Sequence, residues 1–233
     1  MHADQFNEKE IPVTSHYTAA FLSTLTALPI DEAPILHTAI DQARSASEPW
    51  LFNHVMRTWL FATHIAVARG VRYDAEVLAV GSILHDLGLT DQFAGENRFE
   101  VDGANAARNL IGRAAPEMAT SRQQLVWDCI ALHSTGSIAK HKEVEVALVN
   151  AGVALDYGGS GLDSIESETL NTILAAFPRL EMKQRFCGCL SKLAADKPAT
   201  TYGTWVADFG LRFVADYSPP SSVDTLFAAP FPE

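Results

Sequence analysis

Apolar residues recur at helical spacing along nearly the whole chain, and no stretch alternates apolar and polar residues long enough to specify a strand. This periodicity restricts the chain to an all-α fold. Caps and breakers set the helix limits. One helix is expected over Ser15 to Leu28, stopped by Pro29, and another over Ala33 to Ala43. Ser47 is expected to cap a long helix that has Pro49 in its first turn and ends near Gly70. Further helices are expected over Tyr73 to Leu87, closed by Gly88; from Asp102 or Gly103 to Ile111; and from Pro116 or Glu117 to about Leu132. The remainder are expected over Glu143 to Tyr157, Ile165 to Phe177, Arg179 to Ala195 and Gly203 to Tyr217.

The connections are too short for an internal domain boundary. The organisation expected is an N-terminal helical segment (1–46) packed on a core domain (47–217), followed by a Pro-rich tail (218–233). The apolar Leu226, Phe227 and Phe231 suggest that the tail docks on the body or on a partner subunit. Hydrophobic residues make up 48% of the 233, enough for a packed core and against disorder.

The formal net charge of −11, with no dense basic cluster, argues against nucleic acid as a partner. Apolar stretches such as Thr58 to Ala68 are too short to span a bilayer, and Met1 to Glu10 carries no apolar signal region. Cys129, Cys187 and Cys189 form no disulfide framework. A cytoplasmic setting is expected, with a small molecule as the partner and homodimerisation left open.

The chemistry is expected where local rules are broken. His85 and Asp86 end the apolar run that starts at Ala75. Burying two ionisable neighbours without partners costs several kcal/mol. A carboxylate in a helix's last turn also faces the negative end of the helix dipole, which is unfavourable by about 0.3–1 kcal/mol. Asp156 repeats the pattern after Val144 to Leu155, and His54 lies among the large apolar side chains of Trp50 to Phe61. One bound cation would turn these liabilities into ligands. Two imidazoles and two carboxylates suit Zn²⁺, Fe²⁺ or Mn²⁺.

His54, then His85-Asp86, then Asp156 resembles the H…HD…D signature of the HD-domain metalloprotein superfamily. Four segments resemble its cyanamide hydratase branch: Asn53-His54-Val55-Met56-Arg57, Leu84-His85-Asp86-Leu87-Gly88-Leu89, Arg98 to Ala104 and Lys197 to Gly210. The resemblance implies a helical HD bundle with one metal, zinc foremost, held by His54, His85, Asp86 and Asp156. It also implies hydration of cyanamide to urea. A bound Zn²⁺ lowers the pKa of its water to about 7, which supplies hydroxide for attack on a weakly electrophilic nitrile.

Asp86 and His133, which follows the apolar helix ending at Leu132, are candidates for proton transfer. Asn53 and Arg57 are candidates for substrate binding or for orienting a ligand. Glu100 and Asp102 read as helix-capping carboxylates. The main rival is an HD phosphohydrolase acting on a nucleotide or phosphoester. Some of those place a Lys where Leu89 stands here, so Leu89 favours an uncharged substrate in a narrow apolar pocket, while Arg57 and Arg98 keep phosphate open. A second rival is a metal-binding sensor without turnover.

Overall fold

The computed structural model describes residues 33–231 together with Leu22, Ser23 and Thr26. The helix expected over Ser15 to Leu28 otherwise lies outside the described residues. Among those described the protein is all-helical, with no strand.

The chain begins with α1 (Pro34–Ala46), α2 (Pro49–Ala68) and α3 (Ala75–Leu84). After a single 3₁₀ turn (Leu87–Leu89) come α4 (Phe99–Ala114), α5 (Thr120–Leu132) and the short α6 (Gly136–Ala139). Next are α7 (Val144–Gly158), a second 3₁₀ turn (Leu162–Ser164), α8 (Ser167–Ala176) and α9 (Met182–Asp196). The short α10 (Pro198–Thr201), α11 (Ala207–Phe213) and α12 (Ser222–Phe227) complete it.

Several expected boundaries shift for local reasons. Ser47 does not cap α2; its N–H bonds the carbonyl of Ala43 and closes α1. The third helix stops at Leu84, three residues short of the expected end. It begins after Asp74, whose carboxylate accepts the N–H of Val77. The helix expected over Gly203 to Tyr217 is shortened to α11, and the short α10 precedes it. α4 starts at Phe99 rather than at Asp102 or Gly103, so Glu100 lies inside its first turn. The tail forms α12, and Leu226, Phe227 and Phe231 are each more than two-thirds exposed, so they do not dock on the body.

α2 is the axis of the fold. Every residue from Trp50 to Thr63 is buried, as expected of a helix apolar on all sides. It packs most extensively on α7, which brings His54 beside the last turn of α7. The crossing is close because Gly152 of α7 meets the α2 backbone. A Cβ there would lie 2.5 Å from the Thr58 carbonyl oxygen and 3.1 Å from the Ala62 nitrogen. Gly88 has the same role at the next layer, where a Cβ would lie 1.9 Å from the Phe99 carbonyl oxygen.

The main core is built from α1 to α5, α7 and α8. A smaller cluster joins Trp50, Leu51 and Phe99 to Met182, Phe186, Leu190 and Val206. His54 and Phe99 sit where the two meet. No helix of the described residues is long and apolar enough to cross a membrane.

Gly152→Ala is expected to destabilise the fold by about 1–3 kcal/mol, since the helices must separate or strain. Gly112→Ala is the control: this site on α4 is exposed, with open space around it, and should gain about 0.5–1 kcal/mol of helix propensity. Midpoints of urea unfolding check both.

Candidate metal centre

The site is assembled from helix ends. α3 ends at Leu84, and His85 follows with its Nδ1 2.7 Å from the carbonyl oxygen of Ser82. α5 ends at Leu132, and His133 follows with its Nδ1 2.7 Å from the carbonyl oxygen of Ile130. In both cases the imidazole donates to a carbonyl in the helix's last turn; that of Ile130 also accepts the backbone N–H of His133. The proton therefore resides on Nδ1, and Nε2 is a bare lone pair directed into the site. The two rings lie 4.7 Å apart.

His54 reaches the same place from the middle of α2. Its Nδ1 is 2.6 Å from Oδ2 of Asp156, so it donates there, and its Nε2 lies 3.2 Å from Nε2 of His85. Asp86 completes the group. Its Oδ2 is 3.2 Å from Nε2 of His85 and 3.5 Å from Nε2 of His54, and its Oδ1 is 3.6 Å from Nε2 of His133. All four side chains are buried. Ligand atoms of His54, His85 and Asp86 lie within 4.8 Å of one another.

Asp156, expected as the fourth ligand, is not in that group. It stands on the Nδ1 side of His54, away from the converging Nε2 atoms. Arg57 grips it with two bonds, Nε to Oδ1 at 2.7 Å and Nη2 to Oδ2 at 2.8 Å. Arg179 adds a third at 3.0 Å. Three guanidinium bonds and one imidazole bond offset the carboxylate's unfavourable place in the last turn of α7. They also fix the tautomer of His54, the service a carboxylate performs behind a ligating histidine. Burial would push Asp156 up, but His54 and Arg57 hold it well below the usual carboxylate range.

Asn53 and Arg57 share the face behind His54. Arg57 also donates to the carbonyl of Phe177, and Asn53 to that of Pro178. Both tie the segment before Arg179 to α2, and neither lines the cavity over the histidines. Arg179 was not singled out from sequence, because a lone Arg after Pro178 carries no pattern.

Burial lowers His54, and burial followed by the charge of His85 lowers His133 to about 4, so both rings rest neutral. Burial also works against charge on His85 and Asp86, but their mutual attraction outweighs it. His85 is raised and Asp86 is held well below its ordinary value. Without a cation, a shared proton must separate the facing nitrogens. Once that proton is displaced, three imidazoles and a carboxylate converging in a buried site are a donor set for a divalent transition metal.

A cavity of about 230 Å³ opens over this group, walled by His133, Ser134, Asn150, Val153, Tyr157, Phe186 and Trp205 among others. Tyr157, Phe186 and Trp205 pack edge to face around it. Phe186, Asn150 and Tyr157 were missed from sequence, since an aromatic or amide on an amphipathic helix reads as core or surface. Leu89 does not face this cavity. It lines a separate cleft of about 670 Å³ with Trp50, Thr90 and Lys192, so it cannot set the polarity over the metal group. Glu100 is buried, paired with Arg98 and bonded by Ser134, rather than capping α4. Asp102 holds the loop before α4 by accepting from the N–H groups of Gly95 and Asn97.

The model of the HD domain matches residues 51–177, more than half of the 233. The chain belongs to the HD domain family. No curated protein matches it. HD domain proteins bind divalent metals and are usually metal-dependent hydrolases, and the His54, His85 and Asp86 cluster gives this HD domain a place for such an ion. The match spans α2 to α8, while α9 and the turn before α11, which bring Phe186 and Trp205 to the cavity, lie beyond it.

Metal content separates these roles. Asp86→Ala is expected to purify with almost no bound divalent metal. Asp156→Asn should retain a site weakened by about 10–100-fold, read by elemental analysis and chelator competition. Arg57→Ala should cost about 3–5 kcal/mol in urea unfolding, because it strands a buried carboxylate.

Proposed function

We propose that this protein is a metal-dependent hydratase that adds water to a small uncharged nitrile, with cyanamide as substrate and urea as product. The observation that carries the reading is the composition of the cavity wall. It holds no Lys or Arg. The arginines that the sequence offers nearby are engaged, Arg57 and Arg179 with Asp156 and Arg98 with Glu100. A phosphoester needs cationic or metal compensation around its oxygens, whereas cyanamide is short, linear and neutral. About 230 Å³ also falls below the ordinary range of ligand pockets, about 300–1,000 Å³.

Cyanamide hydration forms one C–O bond. One water proton goes to the nitrile nitrogen, and a second is transferred as the product tautomerises to urea. A divalent ion held by His54, His85, Asp86 and His133, zinc in the first instance, supplies Lewis acidity and a water of lowered pKa. The residues do the rest. Asp86 presents both carboxylate oxygens to the site, Oδ2 toward His54 and His85 and Oδ1 toward His133, and can hold the water proton in transit to the nitrile nitrogen. Ser82, Ile130 and Asp156 keep the three rings in the tautomer that presents Nε2. Tyr157, Phe186 and Trp205 limit water at the cavity mouth and restrict what enters. His133, with Nδ1 committed to Ile130, turns Nε2 toward Asp86 at 3.6 Å, a position from which it can complete the ion's ligands.

The usual activity of the family favours the alternative, a metal-dependent phosphohydrolase, and one pair of assays decides. Purified protein loaded with Zn²⁺ should form urea from cyanamide and release negligible phosphate from a nucleotide panel. Efficient phosphate release without urea would reverse the assignment.

A further inference from the structure

The wall of the cavity beyond the histidines is polar in a particular sense. Ser134, next to His133, donates its hydroxyl proton to Oε1 of Glu100 at 2.6 Å. That oxygen also accepts from Nη2 of Arg98 at 2.8 Å. Glu100 is 1% exposed, and the ion pair with Arg98 makes it an acceptor fixed in place. A serine hydroxyl has one proton. With that proton committed outward, Oγ of Ser134 can only accept from anything in the cavity. Asn150 donates one of its two amide protons to the carbonyl of His133 at 2.7 Å, which fixes the side chain beside Ser134. Both residues line the cavity over the metal group. Trp205 lines it too, and its indole N–H is buried without a hydrogen-bond partner among the described residues.

We infer that Ser134, aligned by Glu100, is a specificity-determining residue that accepts an N–H of the substrate, so that the site selects nitriles carrying a free amine on the reacting carbon. The inference rests on the hydratase reading and narrows its substrate class. An amine anchored at Ser134 leaves the nitrile end of a linear molecule to reach the metal group. An N,N-dialkylated cyanamide has the same nitrile but no N–H, and it sets a methyl group against the Ser134 acceptor. Glu100 acts through Ser134 and is a positioning residue.

The test compares urea formation from cyanamide with hydration of dimethylcyanamide in Zn²⁺-loaded wild type, Ser134→Ala, Ser134→Thr and Glu100→Gln. Wild type should strongly favour cyanamide. Ser134→Ala should raise KM for cyanamide about tenfold, the worth of one hydrogen bond, with a smaller change in kcat. It should move dimethylcyanamide far less and leave metal content as in wild type. Ser134→Thr, which keeps the hydroxyl, should restore most of the preference, and Glu100→Gln should raise KM for cyanamide in the same direction. If the alanine variant hydrates cyanamide with undiminished preference, or if both substrates suffer equally, the inference falls alone. If wild type makes no urea at all, the hydratase reading falls and takes this inference with it.

Discussion

Two imidazole nitrogens 3.2 Å apart, each on a ring whose other nitrogen already donates, repel one another unless something positive stands between them. In water such a contact would simply open. Here His54 and His85 are held by packing on every side, at 1% and 0% exposure, and the penalty for unpaired polar groups in a dry interior is severe. The carboxylate of Asp86 and the third ring, His133, face the same point. The fold brings together a set of nitrogens and oxygens that a shared proton or a metal ion must separate, and much of the surrounding structure keeps that set in place.

How it does so is an economical use of helix termini. A finished helix leaves its last carbonyls unpaired. α3 and α5 each offer a last-turn carbonyl to the Nδ1 of the following histidine, and that bond orients the ring. His54 has no helix end to use, since it sits mid-helix in α2, and it takes a carboxylate in the same role. That carboxylate needs cations of its own, which explains a fully buried Arg57 and the approach of Arg179. The backbone contacts at Gly152 and Gly88 allow α2 to approach α7, and the 3₁₀ turn after α3 to approach α4, closely enough for these bonds to form.

Much of this was legible in the sequence. The helical period gave the fold class, and the rule-breaking residues His54, His85, Asp86 and Asp156 marked the site because each opposed its local environment. What they did not reveal was direction. A carboxylate at a helix C-terminus needs positive charge, but the sequence cannot say whether a metal or two guanidinium groups provide it; the structure pairs Asp156 with Arg57, Arg179 and Nδ1 of His54. Leu89 misled for a related reason. Its number places it after the His-Asp pair, but the 3₁₀ turn Leu87–Leu89 rotates it toward a different cleft. Phe186 and Arg179 gave no signal because their roles arise from tertiary approach alone.

The most direct measurement is anomalous diffraction from crystals of the Zn²⁺-loaded protein, collected on either side of the metal edge. The account predicts a single strong peak bound by Nε2 of His54, His85 and His133 and by the carboxylate of Asp86, with Asp156 still held by Arg57 and bonded to Nδ1 of His54. A peak ligated by Asp156 with His133 turned away, or no ordered ion among these side chains, would contradict it.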